Sequence, residues 1–202
     1  EIMNKSLVAL IVVFVVLGLF VVIALLTAVP TYNKMVSYDE GVTSAWSQVE
    51  NVYQRRADLI PNLVNTVKGY AEFEKETLTQ VIEARSKATS VNISAENLNE
   101  QTLSQFQQAQ DGLSSALSRL LVVVEKYPDL KANQNFLELQ AQLEGTENRI
   151  ANERMKFNDA TKTYNVYIRK FPARIFASLF GFDDKPYFKA AEGADKVPEV
   201  KF

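Results

Sequence analysis

The hydrophobic and polar positions fall into two kinds of pattern along this chain. The first is an unbroken apolar run from Leu7 to Val29, which contains no charged residue. The second is a recurrence of apolar residues at steps of three or four, found at about 37–88, 100–126 and 132–170. Steps of three and four place apolar side chains on one face of a helix, so the pattern predicts three long amphipathic helices.

The apolar run is long enough to cross a bilayer. At 1.5 Å per residue it reaches roughly 34 Å, against a hydrocarbon core of about 30 Å. Lys5 before the run would also suit a cleaved signal peptide, but the apolar core of such peptides is much shorter. We therefore expect a retained, single-pass anchor that Pro30 closes. Lys5 and Lys34 flank the run almost equally, so the side of the membrane on which the rest lies stays open.

The first long amphipathic segment predicts one helix from about Ser37 to Ala88, and its continuity with the anchor is left open. Its stripe consists of Val42, Trp46, Val49, Tyr53, Ala57, Ile60, Val64, Val67, Ala71, Leu78, Val81 and Ala84. The Asn- and Ser-rich stretch that follows breaks the pattern and predicts a loop.

Two further long helices and a short one complete the prediction. The second is expected at about 100–126, with Leu103, Phe106, Leu113, Leu117, Leu120 and Val124 inward. The third, at about 132–170, carries a seven-residue repeat of Phe136, Leu143, Ile150, Phe157, Tyr164 and Phe171, which favours coiled-coil-like packing. A short helix follows Pro172 and should stop at Gly181. The expected fold is all-α: a transmembrane anchor (1–30), an antiparallel helical bundle (31–182) and an irregular tail (183–202).

Three charged residues fall on the predicted buried stripes by their spacing: Arg56, Glu147 and Arg154. A buried charge costs several kcal/mol unless it is paired, so we expect Arg56 and Arg154 to meet Glu147, Glu74 or Asp58. Such pairs set which helices meet and in what register. A binding role for these residues remains the alternative.

Arg55 and Pro61 frame this charged region. Arg55 should face outward, where it could hold a second subunit. Pro61 removes one helical hydrogen bond and should bend the helix. A functional hinge, or a helix that restarts with Asp58 as its cap, is the other interpretation.

Aromatic residues concentrate in the last third of the chain, among them Tyr164, Phe171 and Phe180. One interpretation is a second membrane contact through the short last helix. With three long helices, however, the third should end far from the anchor. We therefore expect these rings to pack over the distal end of the bundle or against a neighbouring subunit.

Composition excludes several classes of function. The chain has no histidine and no cysteine, so thiolate metal sites, disulfides and histidine-dependent catalysis are absent. No metal-binding loop or phosphate-binding glycine loop is present. A net charge of −2 without a basic cluster argues against nucleic-acid binding. The chain is therefore expected not to be an enzyme and to need no cofactor.

Two blocks of sequence carry a family resemblance: "QRRADLIPNLV" at 54–64, and "TENRI" at 146–150 with the later Tyr-Asn and Phe-Pro pairs. With the anchor, they resemble the LemA family of bacterial membrane proteins. The resemblance implies a single-pass anchor in the bacterial inner membrane and a four-helix bundle, but no reaction. Some family members are linked to magnetosome membranes and others lie beside genes for a membrane protease. We expect a non-enzymatic membrane scaffold that forms homo-oligomers; the alternative is an adaptor for a membrane protease or an envelope-stress system.

Overall fold

The computed structural model describes residues 5–71 and 74–189, and its regular elements are helical. They are α1 (Lys5–Lys68), α2 (Lys75–Ser90), a 3-10 helix (Ala95–Asn97), α3 (Glu100–Val124), α4 (Pro128–Lys131), α5 (Gln134–Arg169) and α6 (Ala173–Phe180). Within the described ranges there is no β-strand, which confirms the all-α prediction.

Helix α1 is continuous with the apolar run and passes through both Pro30 and Pro61. The mean hydropathy over an 18-residue stretch of α1 reaches 3.5. Among the described helices, α1 is the one that is long and apolar enough to cross a membrane. The continuity of the first amphipathic segment with the anchor, which the sequence left open, is therefore settled: one helix contains both, and Pro30 ends only the apolar run. The bend at Pro61 stays a prediction.

The single helix predicted at about 37–88 is wrong, because the structure has two helices there. Helix α1 ends at Lys68, and α2 begins at Lys75. Gly69, a weak helix former, follows α1, and the Tyr70 amide donates to the Val67 carbonyl in a tightened last turn (3.0 Å). The buried stripe keeps its spacing across this turn, which is why periodicity alone did not reveal the break.

The contacts divide the chain into two compact units, which are described separately. The larger unit comprises residues 42–161 and the segment that begins at Lys185. Its hydrophobic core draws on α1, α2, α3, α4 and α5, with Ile60, Leu63, Leu113, Leu130 and Phe136 among the most buried side chains. This arrangement confirms the helical bundle. Every stripe residue predicted for the first segment is buried there, except Ala84, which is partly exposed.

The smaller unit comprises residues up to Gly41 together with 162–184. In it the part of α1 around Tyr32 and Tyr38 meets the end of α5 at Tyr167 and the end of α6 at Phe180. Met35, Tyr164 and Ile168 are buried in this unit, as are the two alanines of α6, Ala173 and Ala177. Gly181 ends α6 with φ 76°, the left-handed conformation that glycine adopts without strain, which confirms the predicted stop.

The segment after α6 has no regular structure as far as Lys189, and the remainder of the predicted tail lies outside the described residues. A short helix that the sequence pattern did not predict, α4, begins at Pro128. Proline at the first helical position is favourable because the missing amide would be unpaired there.

Candidate functional site

The most heavily cross-linked side chain in the larger unit is Arg56 of α1, which is almost fully buried. Its Nη1 donates to Glu147 Oε1 of α5 at 2.8 Å and to Ser114 Oγ of α3 at 2.9 Å. Its Nη2 donates to Gln110 Oε1 at 2.5 Å and lies 3.3 Å from the Gln110 carbonyl. The guanidinium also lies 5.1 Å from the centre of the Tyr53 ring. One residue therefore joins three helices.

Gln110 extends this network to one more helix, α2. Its Nε2 donates to the Ala88 carbonyl near the end of α2 (3.2 Å), while its Oε1 accepts from Arg56. Arg85 of α2 independently donates to the Ala57 carbonyl of α1 at 2.7 Å. Sequence reasoning missed Gln110. The available signal was a polar residue four after Phe106 and three before Leu113, on the buried stripe of α3.

Of the other charged candidates, Glu147 joins this network, whereas Arg154 and Glu74 lie elsewhere. Glu147 is not buried on the stripe as predicted: its side chain is 46% exposed, and it reaches Arg56 from the edge of α5. Arg154 meets none of the carboxylates proposed for it. Its Nη2 donates to the Lys189 carbonyl at 3.0 Å, and its guanidinium lies 4.6 Å from the Phe188 ring centre. Glu74 instead accepts from Tyr127 Oη (3.2 Å).

Arg55, Asp58 and Pro61 are all exposed on α1. Asp58 accepts from Gln54 Nε2 at 2.7 Å and does not cap a helix, because α1 continues through it. Arg55 makes no hydrogen bond or ion pair with any residue that the structure describes, so its guanidinium is available to solvent or to a partner.

A second cluster in the larger unit holds the segment that follows α6. The Trp46 ring of α1 packs against Phe106, Phe157 and Phe188, with ring centres 5.4, 5.6 and 6.1 Å away. Asn158 of α5 pairs with the backbone of Phe188 in both directions: its Oδ1 accepts from the amide at 2.9 Å and its Nδ2 donates to the carbonyl at 3.1 Å. Part of the predicted irregular tail is therefore fastened to the bundle.

In the smaller unit, the rings of Phe180 and Phe182 pack against Tyr32 of α1, with centres 5.1 and 5.7 Å away. Tyr32 is the third residue after Val29, the end of the apolar run. The expectation that the third long helix ends far from the anchor is therefore wrong. Because the first predicted helix is in fact two helices, α1 and α2, the bundle has one more helix than predicted, and the end of α5 packs against α1 at Tyr38.

Phe171 and Tyr164 have opposite environments, although the seven-residue repeat placed both inward. Tyr164 is buried, and its hydroxyl donates to the Asp183 carbonyl at 3.0 Å. Phe171 is largely exposed, because α5 ends at Arg169 and the helical repeat no longer governs its direction. Its predicted place on the buried stripe is wrong.

Burial is the largest cause of the raised pKa of two tyrosines, Tyr53 and Tyr164. Desolvation raises the pKa of Tyr164 well above its ordinary value, and the carboxylates of Asp39, Asp183 and Asp184 add to the rise. Desolvation also raises the pKa of Tyr53, against the opposing charges of Arg154 and Arg56. Both hydroxyls are therefore poorer acids than free tyrosine. Among the residues that the structure describes, no three acidic side chains lie close enough to hold a metal ion.

Comparison with known proteins adds relatives from bacteria. The chain is 28% identical over 194 residues to the magnetosome proteins MamQ 1 and MamQ 2 of Paramagnetospirillum magneticum, covering 88% of this chain and 71% of each relative. It is 23% identical over 160 residues to protein LemA of Metamycoplasma hominis, covering 79% of this chain and 69% of that protein. With the apolar helix, these relatives indicate a membrane-associated helical protein. The sequence pattern of the LemA family matches residues 45–202, most of the chain, and the chain therefore belongs to the LemA family.

Proposed function

We propose that this protein is a non-enzymatic scaffold, anchored in the bacterial inner membrane by one span, that self-associates and organises the membrane around it. The observation that carries the proposal is the network around Arg56. The buried guanidinium of Arg56 donates to Ser114, Glu147 and Gln110, side chains of two other helices. A catalytic or ligand-binding arginine needs donors directed at an open site. Here both terminal nitrogens are directed at the protein itself, which suits a register device.

The surface supports a role in association. Arg55 lies next to Arg56 on α1 but is exposed and has no partner among the described residues. An exposed arginine with free donors can form a paired, planar contact with a carboxylate of a neighbouring copy. Two of the relatives carry the name magnetosome protein, and this name motivates the extension from a scaffold to a scaffold that organises a bacterial membrane.

The test is the mass of the full chain in membrane-like surroundings. We expect the purified protein to form defined multimers of its 22.7 kDa chain at micromolar concentration, in several detergents and in lipid nanodiscs. Native mass spectrometry and light scattering would report the state. A monomer under all these conditions would overturn the scaffold. If the monomer instead co-purifies with a membrane protease, the result would favour the adaptor function.

A pair of variants isolates Arg55. Arg55→Glu should raise the dissociation constant of the multimer at least several-fold, because it replaces a positive charge with a negative one. Arg149→Glu is the matched control, because Arg149 is also an exposed helical arginine. Equal effects of the two changes would show that general charge, and no specific contact of Arg55, governs association.

A further inference from the structure

The exposed face of α6 is unusual for a helix in water. The buried face carries the two smallest apolar residues, Ala173 and Ala177, which are 3% and 5% exposed. The exposed side carries large ones: Ile175 is 57% and Leu179 is 72% exposed, and Phe171 just before the helix is 83% exposed, whereas Phe176 is partly buried. An amphipathic helix of a soluble protein places its large apolar residues inward, so this arrangement is inverted. A contiguous exposed apolar face of this kind indicates a binding surface.

The position of this face within the smaller unit identifies what covers it. Phe180 and Phe182 pack on Tyr32, which follows the apolar run by three residues, or about 4.5 Å along a helix. The headgroup layer on each side of the hydrocarbon core is about 5–7 Å thick. If the run spans the bilayer, the end of α6 that touches Tyr32 lies at the level of the headgroups.

The chemistry around the face suits that level. Tyrosine is enriched at the boundary between lipid and water, where its ring and its hydroxyl meet different surroundings. Lys34 lies close to the rings of Tyr38 and Tyr167, at 5.9 and 5.6 Å from their centres. Lys170 and Arg174 are exposed beside the apolar residues of α6. Basic side chains next to a bulky apolar face are typical of helices that lie in the interface, because their long stems let the charge reach the headgroups.

We propose that α6 and Phe171 form a second membrane contact, in which Phe171, Ile175 and Leu179 insert into the headgroup boundary of the bilayer that α1 spans. This inference rests on the proposed membrane span of α1. The contact fastens the end of α5 to the lipid surface, so that the protein holds the membrane at two points: the span and the interfacial face of α6.

The absence of native cysteine makes the test direct. Single cysteines are introduced by Ile175→Cys and Leu179→Cys in the full chain, labelled with an environment-sensitive fluorophore and reconstituted into phosphatidylcholine vesicles with and without anionic lipid. We expect blue-shifted emission at both positions, several-fold stronger quenching by nitroxide-labelled lipid than by aqueous iodide, and a modest enhancement by anionic lipid. Lys162→Cys, an exposed position of α5 in the same unit, is the control and should show the opposite preference.

Two other outcomes would overturn the contact. Labels at 175 and 179 that respond to iodide as strongly as the label at 162 would place α6 in water. A blue shift without lipid quenching, which disappears when each nanodisc holds one chain, would show that a second copy covers the face. Phe14→Cys in the apolar run reports the span separately. Lipid quenching at 14 without quenching at 175 and 179 removes only the α6 contact, whereas no quenching at 14 removes the span itself.

Discussion

The guanidinium of Arg56 and the carboxylate of Glu147 are 2.8 Å apart, yet the arginine side chain is 2% exposed and the glutamate side chain 46%. The pair is therefore asymmetric. The carboxylate can regain water if its partner is lost, whereas the buried guanidinium cannot. Arg56 also donates to Ser114 and Gln110, so its loss leaves the buried Gln110 Oε1 without its donor.

This asymmetry predicts unequal costs for the two members of the pair. Arg56→Ala should lower the free energy of unfolding by about 3 kcal/mol, because it leaves the buried Gln110 Oε1 without a donor and creates a cavity. Glu147→Gln should cost about 1 kcal/mol, since the exposed carboxylate is screened by solvent and an amide oxygen still accepts. Denaturant unfolding of the full chain in detergent, followed by the fluorescence of its single tryptophan, measures both.

The control for this pair is Glu144→Gln, an exposed residue one turn earlier on α5 that accepts from Gln140. It should change stability by less than about 0.5 kcal/mol. If Glu147→Gln leaves the protein as stable as its parent, the ion pair contributes nothing to folding and the register function is wrong.

The contacts of Phe188 predict that the segment after α6 stabilises the larger unit. Phe188→Ala should cost about 3 kcal/mol and shift Trp46 emission to the red, because the ring that stacks on the indole is removed. Tyr187→Ala, at the exposed neighbouring position, should have little effect on either readout.

Asn158→Ala tests the backbone half of the same attachment. It removes the acceptor for the Phe188 amide and the donor to its carbonyl, so we expect a loss of about 1–2 kcal/mol. Hydrogen exchange should show faster exchange of the Phe188 amide. Unchanged protection would mean that the ring contacts alone hold the segment.

The raised pKa of Tyr164 predicts loss of stability in alkali. In the unfolded chain a tyrosine titrates near pH 10, whereas burial keeps the folded Tyr164 protonated to higher pH. Below about pH 10 both states hold the proton and stability does not depend on it. Above about pH 10 the unfolded state loses its proton first, so stability falls by up to about 1.4 kcal/mol per pH unit.

Tyr164→Phe should therefore flatten the decline in stability between about pH 10 and 11, while costing about 1 kcal/mol at neutral pH for the lost hydrogen bond to Asp183. Unfolding curves at a series of pH values measure the slope. Tyr187→Phe is the exposed comparison. Identical slopes for Tyr164→Phe and the parent would contradict the assignment.

Two glycines predict effects of opposite sign. Gly181→Ala should weaken the end of α6 by about 1 kcal/mol, because φ 76° strains any residue with a Cβ. Gly145→Ala, inside α5 with open space around the new methyl group, should stabilise by up to about 1 kcal/mol. Hydrogen exchange in α6 and global unfolding, respectively, report the changes. A stabilising Gly181→Ala would contradict the left-handed helix end.

Sequence periodicity determined the helical stripes of the bundle. Trp46, Phe106 and Phe157 are buried where their spacing places them, because a helix in water must cover its apolar face whatever covers it. The apolar run likewise identified a candidate span, and the family blocks identified the LemA family. These properties are local, and the order of residues encodes them directly.

Tertiary structure decided which partners the polar residues found. The spacing placed Arg56 inward, but only the packing of α1 against α3 and α5 selected Ser114, Gln110 and Glu147 from the polar residues available. Arg154 instead binds the segment after α6, where the Lys189 carbonyl accepts from both Arg154 and Gln107 of α3. Partner choice depends on residues distant in sequence, which no local pattern specifies.

The turn at Gly69 determined where the chain goes after α1. The stripe from Val64 to Val81 has the same spacing whether the helix continues or folds back, so the sequence determined the stripe and not the number of passes. Only the tertiary structure showed that α1 stops at Lys68, that α5 returns to Tyr38, and that α6 packs on Tyr32. The physical reason is that periodicity records which face is buried, whereas the direction of the chain after a turn is set by what that face packs against.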